Sequence, residues 1–381
     1  MIPYGRQDIT QEDVEHVISV LKSDFLTQGP VLESFEKEIS RYTGAKYAAA
    51  VNSATSALHI ACMALGLQKG GRLWTSPITF VASANCGLYC GADVDFVDID
   101  PLTYNMSVIA LEEKLIHAES KGCLPDIVVP VHLSGQSCDM KSIFDLSRKY
   151  GFSVIEDASH AIGAKYKDEP VGSCKYSDIT VFSFHPVKII TTGEGGVAVT
   201  NNQEIFNKMT LLRSHGITRD VEKMKQFHGN WYYEQIDLGF NYRMTDMQAA
   251  LGLSQLCRLD AYVRHRNKLS NRYDSLMSDI NVMLPYQSDQ VYSSRHLYII
   301  RLQKNKRAEV FERLRELGVG VNVHYIPVHM QPYYRQFGFA AGMFPEAESY
   351  YKEAISIPIF GAMSFHQQNK VIEKIKLVLG G

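Results

Sequence analysis

Short apolar runs alternate with stretches whose apolar residues recur at helical spacing through the first half of the chain. Thr10 to Asp13 has the form of a capping box with Asp in place of Glu, and Val14, Val17, Ile18 and Leu21 follow at helical spacing. After a turn at Leu26-Thr27-Gln28-Gly29-Pro30, the stretch from Val31 to Tyr42 reads as a second helix closed by Gly44. Strands are then expected at Ala48–Val51, near Leu73, at Val94–Val97, Ile127–Val131 and Phe152–Ile155. Between them lie helices starting at Thr55 and Phe80 and spanning Ile109–His117 and Met140–Tyr150. Such βαβ repetition predicts a mainly parallel sheet covered by helices on both faces.

Two further apolar runs, Ile179–Phe184 and Gly196–Thr200, precede a change of pattern. Thr245–Leu256 and the charged segment to Met277 read as long helices. A smaller α/β unit follows, with strands His296–Leu302 and Gly320–Tyr325, a helix Arg307–Leu317, and helices near Glu346 and Gln367. The boundary is placed near residue 255, giving a large domain 1–255 and a small C-terminal domain 256–381. At 381 residues the chain exceeds the roughly 250–300 at which single cores stop growing, which agrees with two units.

Charge narrows the partners. The 39 basic and 41 acidic residues leave a net charge of -2, without a run of like charges that would mark a nucleic-acid or membrane footprint. An anionic substrate must therefore be held by local features. The N-terminus lacks a signal-peptide core, and no apolar run approaches the roughly 20 residues needed to span a bilayer, so a soluble, cytoplasmic protein is expected. Seven scattered cysteines suggest free buried thiols rather than a disulfide framework. Cys86 and Cys90 share a helix face without a neighbouring histidine pair, which reads as packing, and no metal site is expected.

Candidate chemistry centres on Ser183-Phe184-His185-Pro186-Val187-Lys188, between the run Ile179–Phe184 and the turn Gly193-Glu194-Gly195-Gly196. A lysine buried there would have a lowered pKa and an amine able to attack a carbonyl, although a lysine at a strand end also commonly snorkels to solvent. Ser53-Ala54-Thr55-Ser56 opens a helix after a strand and offers a phosphate seat, or else an ordinary hydroxyl cap. Glu156-Asp157-Ala158-Ser159-His160 ends a buried strand, where open α/β sheets place their ligands. There Asp157 could hold a proton on a pyridine nitrogen or simply cap a helix, and His160 could reach a phenolic oxygen or be structural. Phe80, after Thr75-Ser76-Pro77, could stack on a planar ring or fill the core.

The segment Gly193-Glu194-Gly195-Gly196-Val197-Ala198 satisfies a loose dinucleotide pattern, but it opens a strand rather than a helix. A phosphate-binding loop of the Gly-Lys type is excluded, since the chain has no Gly-Lys dipeptide.

Six motifs in order resemble the DegT/DnrJ/EryC1/StrS family of pyridoxal-phosphate-dependent sugar aminotransferases: Leu26-Thr27-Gln28-Gly29, Asn52 to Leu58, Glu156 to Ala161, Ser183 to Lys188, Arg213-Ser214-His215-Gly216 and Gly239 to Met244. Val323-His324-Tyr325-Ile326-Pro327 also fits. The resemblance covers nearly the whole chain and implies a fold-type I, aspartate-aminotransferase-like α/β architecture with pyridoxal 5'-phosphate as cofactor. It implies that Lys188 condenses with the cofactor, that Asp157 pairs with its pyridine nitrogen, and that His160 lies near the ring hydroxyl with Phe80 on the ring face. Thr55, Ser56 and Ser183 would hold the phosphate, with Asn241 reaching it from the other subunit of a homodimer with shared sites.

The same resemblance makes Tyr4, Arg6, Thr27, Arg213, His215, His324 and Tyr325 the candidates for substrate binding, with L-glutamate and a nucleotide sugar as substrates. Within the family, Gln248 to Leu256 and Ser293 to Tyr298 are most similar to the branch that makes UDP-4-amino-4,6-dideoxy-N-acetyl-β-L-altrosamine for pseudaminic acid. Branches making GDP-perosamine or a 4-amino-4-deoxy-arabinose nucleotide share most of the catalytic motifs. Gly71-Arg72 and Ser159 depart from the family pattern at positions without an assigned role. Lys188 argues against a dehydrase of the same family, which has histidine there, and the retained cofactor motifs argue against a sensor.

Overall fold

Seven strands build the central sheet of the computed structural model, which describes residues 1–302 and 306–379. In chain order they are β1 (Tyr47–Val51), β2 (Arg72–Thr75), β3 (Asp93–Phe96), β4 (Ile127–Val129), β5 (Ser153–Asp157), β6 (Ile179–Ser183) and β7 (Gly196–Thr200). Their spatial order is β1-β7-β6-β5-β4-β2-β3. The pairs from β3 across to β6 are parallel, as the βαβ pattern predicts, and their strands are largely apolar because helices cover the sheet. β7 departs from that pattern by running antiparallel to both β1 and β6.

The reversal has a direct consequence. An antiparallel neighbour needs no crossover helix, so the 12 residues between Ser183 and Gly196, which face each other in the register, are free to form a loop at the sheet edge. Lys188 is carried on that loop.

The glycines close the loop in two ways. Gly193 takes a left-handed φ of +80°, and Gly196 starts β7 so close to the next element that a Cβ would lie 2.5 Å from the Ala54 amide nitrogen.

Helix Gln11–Leu21 forms the predicted capping box through Thr10 and Asp13. Fully buried Asp13 also receives Arg258 Nη2 at 2.6 Å and Gln255 Nε2 at 2.7 Å, which ties this first helix to helix Asp246–Leu256 and the start of the next. Asp246 caps helix Pro30–Thr43 from 217 positions away, accepting the Gly29 amide at 2.8 Å.

The C-terminal unit has its own core, in which Leu269, Tyr273, Tyr298, Ile300, Ile355 and Ile375 pack together. Helix Leu259–Leu276 joins the two units: Leu259 and Val263 pack in the large core and Leu269 and Tyr273 in the small one. Strands β8 (Tyr298–Arg301) and β9 (Ala354–Ile357) pair antiparallel.

The strand expected over Gly320–Tyr325 is instead a set of isolated pairings, Val319 with Ile2 and Asn322 with Ser356. Residues 318–320 bond the N-terminus on one side, Ile2 N to Gly318 O at 2.8 Å and Gly320 N to Ile2 O at 2.7 Å, and this divides the run between two partners. The first residues thus pack on the C-terminal unit, and this brings Tyr4 to the junction. Among the cysteines, Cys257 is exposed and Cys90 and Cys123 half-buried, so burial holds for only four of the seven. No helix among the described residues is long and apolar enough to cross a membrane.

Candidate active site

The carboxyl ends of the parallel strands meet at one edge of the sheet, and a cleft of about 910 Å³ opens there against the C-terminal unit. Three segments form its floor: Asn52–Ser56 after β1, Asp157–His160 at the end of β5, and the loop after β6 with Ser183 and Lys188. Thr79 and Phe80 follow β2, and Tyr4, Asn322, His324 and Tyr325 close the side facing the C-terminal unit.

Burial lowers the Lys188 amine to about 8, against the opposing pull of the Asp157 charge. The amine is therefore unprotonated in roughly a tenth of molecules at pH 7, far more than for an ordinary lysine. Asp157 is buried, with Oδ1 accepting the Ser159 amide at 3.1 Å and Oδ2 accepting the Ser83 hydroxyl at 2.6 Å.

The preceding residue, Glu156, has a different surrounding: its carboxylate accepts from His132 Nε2 at 2.7 Å and from the hydroxyls of Ser177 and Thr180. Alternation along a strand sends successive side chains to opposite faces, so two adjacent acids acquire separate environments.

His160 is neutral. Burial first, then the charges of Lys188 and His324, push its pKa well below the ordinary value. Its Nδ1 accepts the Ser134 amide at 3.3 Å, which puts the ring proton on Nε2, 3.1 Å from the Tyr325 hydroxyl oxygen. Nε2–H donates to that oxygen and leaves the phenolic proton of Tyr325 available to the cleft. His324 is also neutral, its pKa lowered to about 3 by burial and Lys188. Asn322 donates to its Nε2 at 3.3 Å, so Nδ1–H donates to Ser356 at 2.7 Å. The peptide between His324 and Tyr325 is cis.

At the start of helix Ala54–Ala64, Ser53 Oγ accepts the Ser56 amide at 3.1 Å, and Ser56 donates its hydroxyl proton to Asn52 Oδ1 at 2.7 Å. The open donors of this anion seat are accordingly the Thr55 hydroxyl and the amides of Ala54 and Thr55, and the Ser56 hydroxyl joins them only by turning away from Asn52. Phe80 is 59% exposed and lines the cleft. A large aromatic left that open is available to cover a planar ligand.

The structure thus brings Lys188, Asp157, His160, Thr55, Ser56, Ser183, Phe80, Tyr4, His324 and Tyr325 into one cleft. Five candidates do not line it within a single chain: Arg6, Thr27, Arg213, His215 and Asn241. Arg213 is committed to the frame, where its Nη1 forms an ion pair with Glu36 and donates to the Ala50 carbonyl at 2.8 Å. The His215 amide bonds Phe240 O at 2.9 Å while its side chain is exposed, and Thr27 pairs with Thr245 through the backbone. The Asn241 carbonyl accepts from Asn52 Nδ2 at 3.5 Å, but its side chain faces solvent.

Sequence reasoning overlooked Ser83, Asn52, Gln248 and His296. Ser83 lies three positions beyond Phe80, one helical turn, and that spacing is the only signal that could have pointed to it. Gln248 lines the cleft and donates to Glu194 O at 2.8 Å, bracing the Lys188 loop. His296 packs against His160 with ring centroids 4.4 Å apart and the rings tilted by 41°.

Comparison with known proteins agrees with this geometry. The chain is 38% identical to the spore coat polysaccharide biosynthesis protein SpsC of Bacillus subtilis, over 100% of this chain and 97% of that protein. It is also 38% identical to a UDP-4-amino-4,6-dideoxy-N-acetyl-beta-L-altrosamine transaminase of Campylobacter jejuni, over 99% of each. Among solved structures, Helicobacter pylori PseC, an aminotransferase involved in the biosynthesis of pseudoaminic acid, overlays with a TM-score of 0.90 at 30% identity, covering 100% of this chain and 99% of that one. The cofactor is pyridoxal 5'-phosphate. The DegT/DnrJ/EryC1/StrS aminotransferase model matches residues 7–376, and the chain belongs to that family.

Proposed function

We propose that the chain transfers an amino group from L-glutamate to the C4 keto group of a UDP-linked 4-keto-6-deoxy-N-acetyl-hexosamine, forming UDP-4-amino-4,6-dideoxy-N-acetyl-β-L-altrosamine in the pseudaminic acid pathway. The observation that carries the reading is a lysine amine, its pKa lowered to about 8 by burial, sharing one cleft with the carboxylate of Asp157 and an open helix N-terminus.

These residues fit the cofactor. Lys188 would hold its aldehyde carbon, Asp157 its pyridine nitrogen, and Thr55, Ser56, Ser183 and the first-turn amides its phosphate. His160 would lie near the ring hydroxyl and Phe80 against the ring face. When bound, pyridoxal phosphate supplies an electron sink and carries the amino group between the two substrates.

The protein supplies the rest. With the cofactor bound, the Lys188 amine would be the base that moves the proton of the donor's α-carbon. Asp157 keeps a proton on the pyridine nitrogen. Neutral His160 adds no positive charge beside Lys188, so the amine stays available. Tyr4, His324 and Tyr325 line the opposite side of the cleft.

Asn241 would complete the phosphate seat of a second copy in a homodimer. Its exposed side chain supports this, as do Trp231 and Leu238, large apolar residues 75% and 73% exposed nearby in sequence.

The identity to the Campylobacter transaminase supports the choice of sugar. Single-turnover amination of a panel of 4-keto nucleotide sugars, read by mass, tests it. Fastest amination of the UDP-linked 6-deoxy-N-acetyl-hexosamine is expected. Preference for a GDP-linked hexose or a UDP-linked pentose would move the protein to the perosamine or arabinose branch.

A further inference from the structure

We infer that Ser83 is a positioning residue for Asp157, and that Thr79 and Ser83 form a one-directional hydrogen-bond relay that fixes the carboxylate at the floor of the cleft. The inference rests on the assignment of Asp157 to the cofactor's ring nitrogen.

Proton counting sets the direction. Ser83 has one hydroxyl proton, and its oxygen lies 2.6 Å from Asp157 Oδ2 and 2.7 Å from Thr79 Oγ1. The carboxylate only accepts, so the Ser83 proton goes to Asp157 and Thr79 must donate to Ser83. A third contact, Ser83 to the Phe80 carbonyl, is longer at 3.4 Å and does not compete. With Oδ1 held by the Ser159 amide, both carboxylate oxygens are tethered, and the remaining lone pairs point in a fixed direction.

All the groups involved are buried: Ser83 lies wholly behind the cleft floor, and Thr79 and Asp157 expose only a few per cent of their surface to the cleft. A hydrogen bond to a charged acceptor in such a place is stronger than a neutral one. The relay also shares a helical turn with Phe80. The Ser83 amide bonds the Phe80 carbonyl at 3.2 Å, so the aromatic residue facing the cleft and the anchor of the carboxylate are delivered by one rigid piece of chain. A shift of that turn would move the ring cover and the ring's charge partner together.

The test uses the dimeric holoenzyme carrying Ser83→Cys, Ser83→Ala or Thr79→Val, with Asp157→Ala as reference. Three quantities are read: circular dichroism of the cofactor's visible band, cofactor retention on dialysis, and kcat and KM for glutamate. Ser83→Ala is expected to weaken the visible dichroism, speed cofactor loss and lower kcat about tenfold, the effect of one charge-assisted hydrogen bond, with KM changed less than about twofold. Ser83→Cys should fall between wild type and Ala, because a thiol is a weak donor. A purely packing role would instead leave the dichroism and kcat of both variants at wild-type values.

Thr79→Val keeps Ser83 in place and should reproduce a smaller part of the loss, which decides the matter if Ser83→Ala does not fold. Wild-type dichroism and kcat in both Ser83→Ala and Thr79→Val, with Asp157→Ala inactive, would overturn the relay and leave the assignment of Asp157 standing. An Asp157→Ala enzyme with wild-type turnover would overturn that assignment, and the relay with it.

Discussion

The Tyr325 hydroxyl lies 3.1 Å from His160 Nε2, joining residues 165 positions apart across the junction between the sheet edge and the C-terminal unit. Their rings are also nearly parallel, 20° apart. Tyr325→Phe removes the hydroxyl and the phenolic proton directed to the cleft while keeping the ring. Stability should fall by about 1 kcal/mol, the net value of one buried hydrogen bond. kcat/KM for the sugar should fall more clearly, by about tenfold, which corresponds to about 1.4 kcal/mol. Steady-state kinetics beside urea denaturation will separate the two; equal, small losses in both would remove Tyr325 from the reaction.

Lys188 sets a second expectation. Its amine has a lowered pKa of about 8, so it is mainly protonated and unreactive below that pH and mainly free above it. The rate at which stripped protein takes up pyridoxal phosphate, followed by visible absorbance in stopped flow, should rise with pH and level off above about 8. Lys188→Ala should abolish both the absorbance and turnover.

The two cleft histidines give a prediction by their neutrality. Burial, with Lys188 nearby, holds His160 well below the ordinary imidazole range and His324 at about 3. Neither ring should gain a proton between pH 5.5 and 7. The pH profile of kcat/KM for glutamate should therefore lack an inflection near 6.5. A limb there that disappears in His324→Asn would show that this ring does titrate.

Glu156 is a framework acid. Burial raises its carboxyl, but the donors His132, Ser177 and Thr180 outweigh burial and hold it below 4.5. Because the folded value lies below the unfolded one, the stabilisation is present in full above pH 4.5 and is lost as pH falls through the folded value. Glu156→Gln should cost about 2–3 kcal/mol at neutral pH, with the gap to wild type narrowing in acid. Urea midpoints measured from pH 7 to pH 3 check both the size and the sign.

Arg213 provides the opposite kind of test. Its pair with Glu36 is mostly buried, with side chains 14% and 15% exposed. Arg213→Ala should lower stability by about 2 kcal/mol and leave KM for the nucleotide sugar within about twofold of wild type. A raised KM with an unchanged melting temperature would return Arg213 to the substrate site.

Much of this was legible in the chain because it depends on local pattern. Period-2 and period-3.6 hydrophobicity predicts the strands and helices that deliver Thr55, Asp157, Ser183 and Lys188, and parallel strands ending at one edge must bring their C-terminal residues together. The capping box at Thr10 and the loop character of the Lys188 segment are likewise written in neighbouring residues. Pairing direction is not, since β7 has the same apolar run whether it lies parallel or antiparallel. Only the closing of the sheet, with β7 inserted between β1 and β6, settles it.

What the sequence alone determined, then, is the order of the elements, because each is set by residues a few positions apart; it offered the lysine, the acid and the anion seat as candidates, whose roles came from the family resemblance. What only the tertiary structure decided is which polar groups satisfy one another. Ser83 finds Asp157 over 74 positions, Arg213 finds Glu36 over 177, and Tyr4 reaches the cleft because the N-terminus docks on the C-terminal unit. The physical reason is the cost of leaving a buried donor or charge unpaired: the fold must supply a partner, but any of several distant residues would serve, and backbone geometry makes the choice.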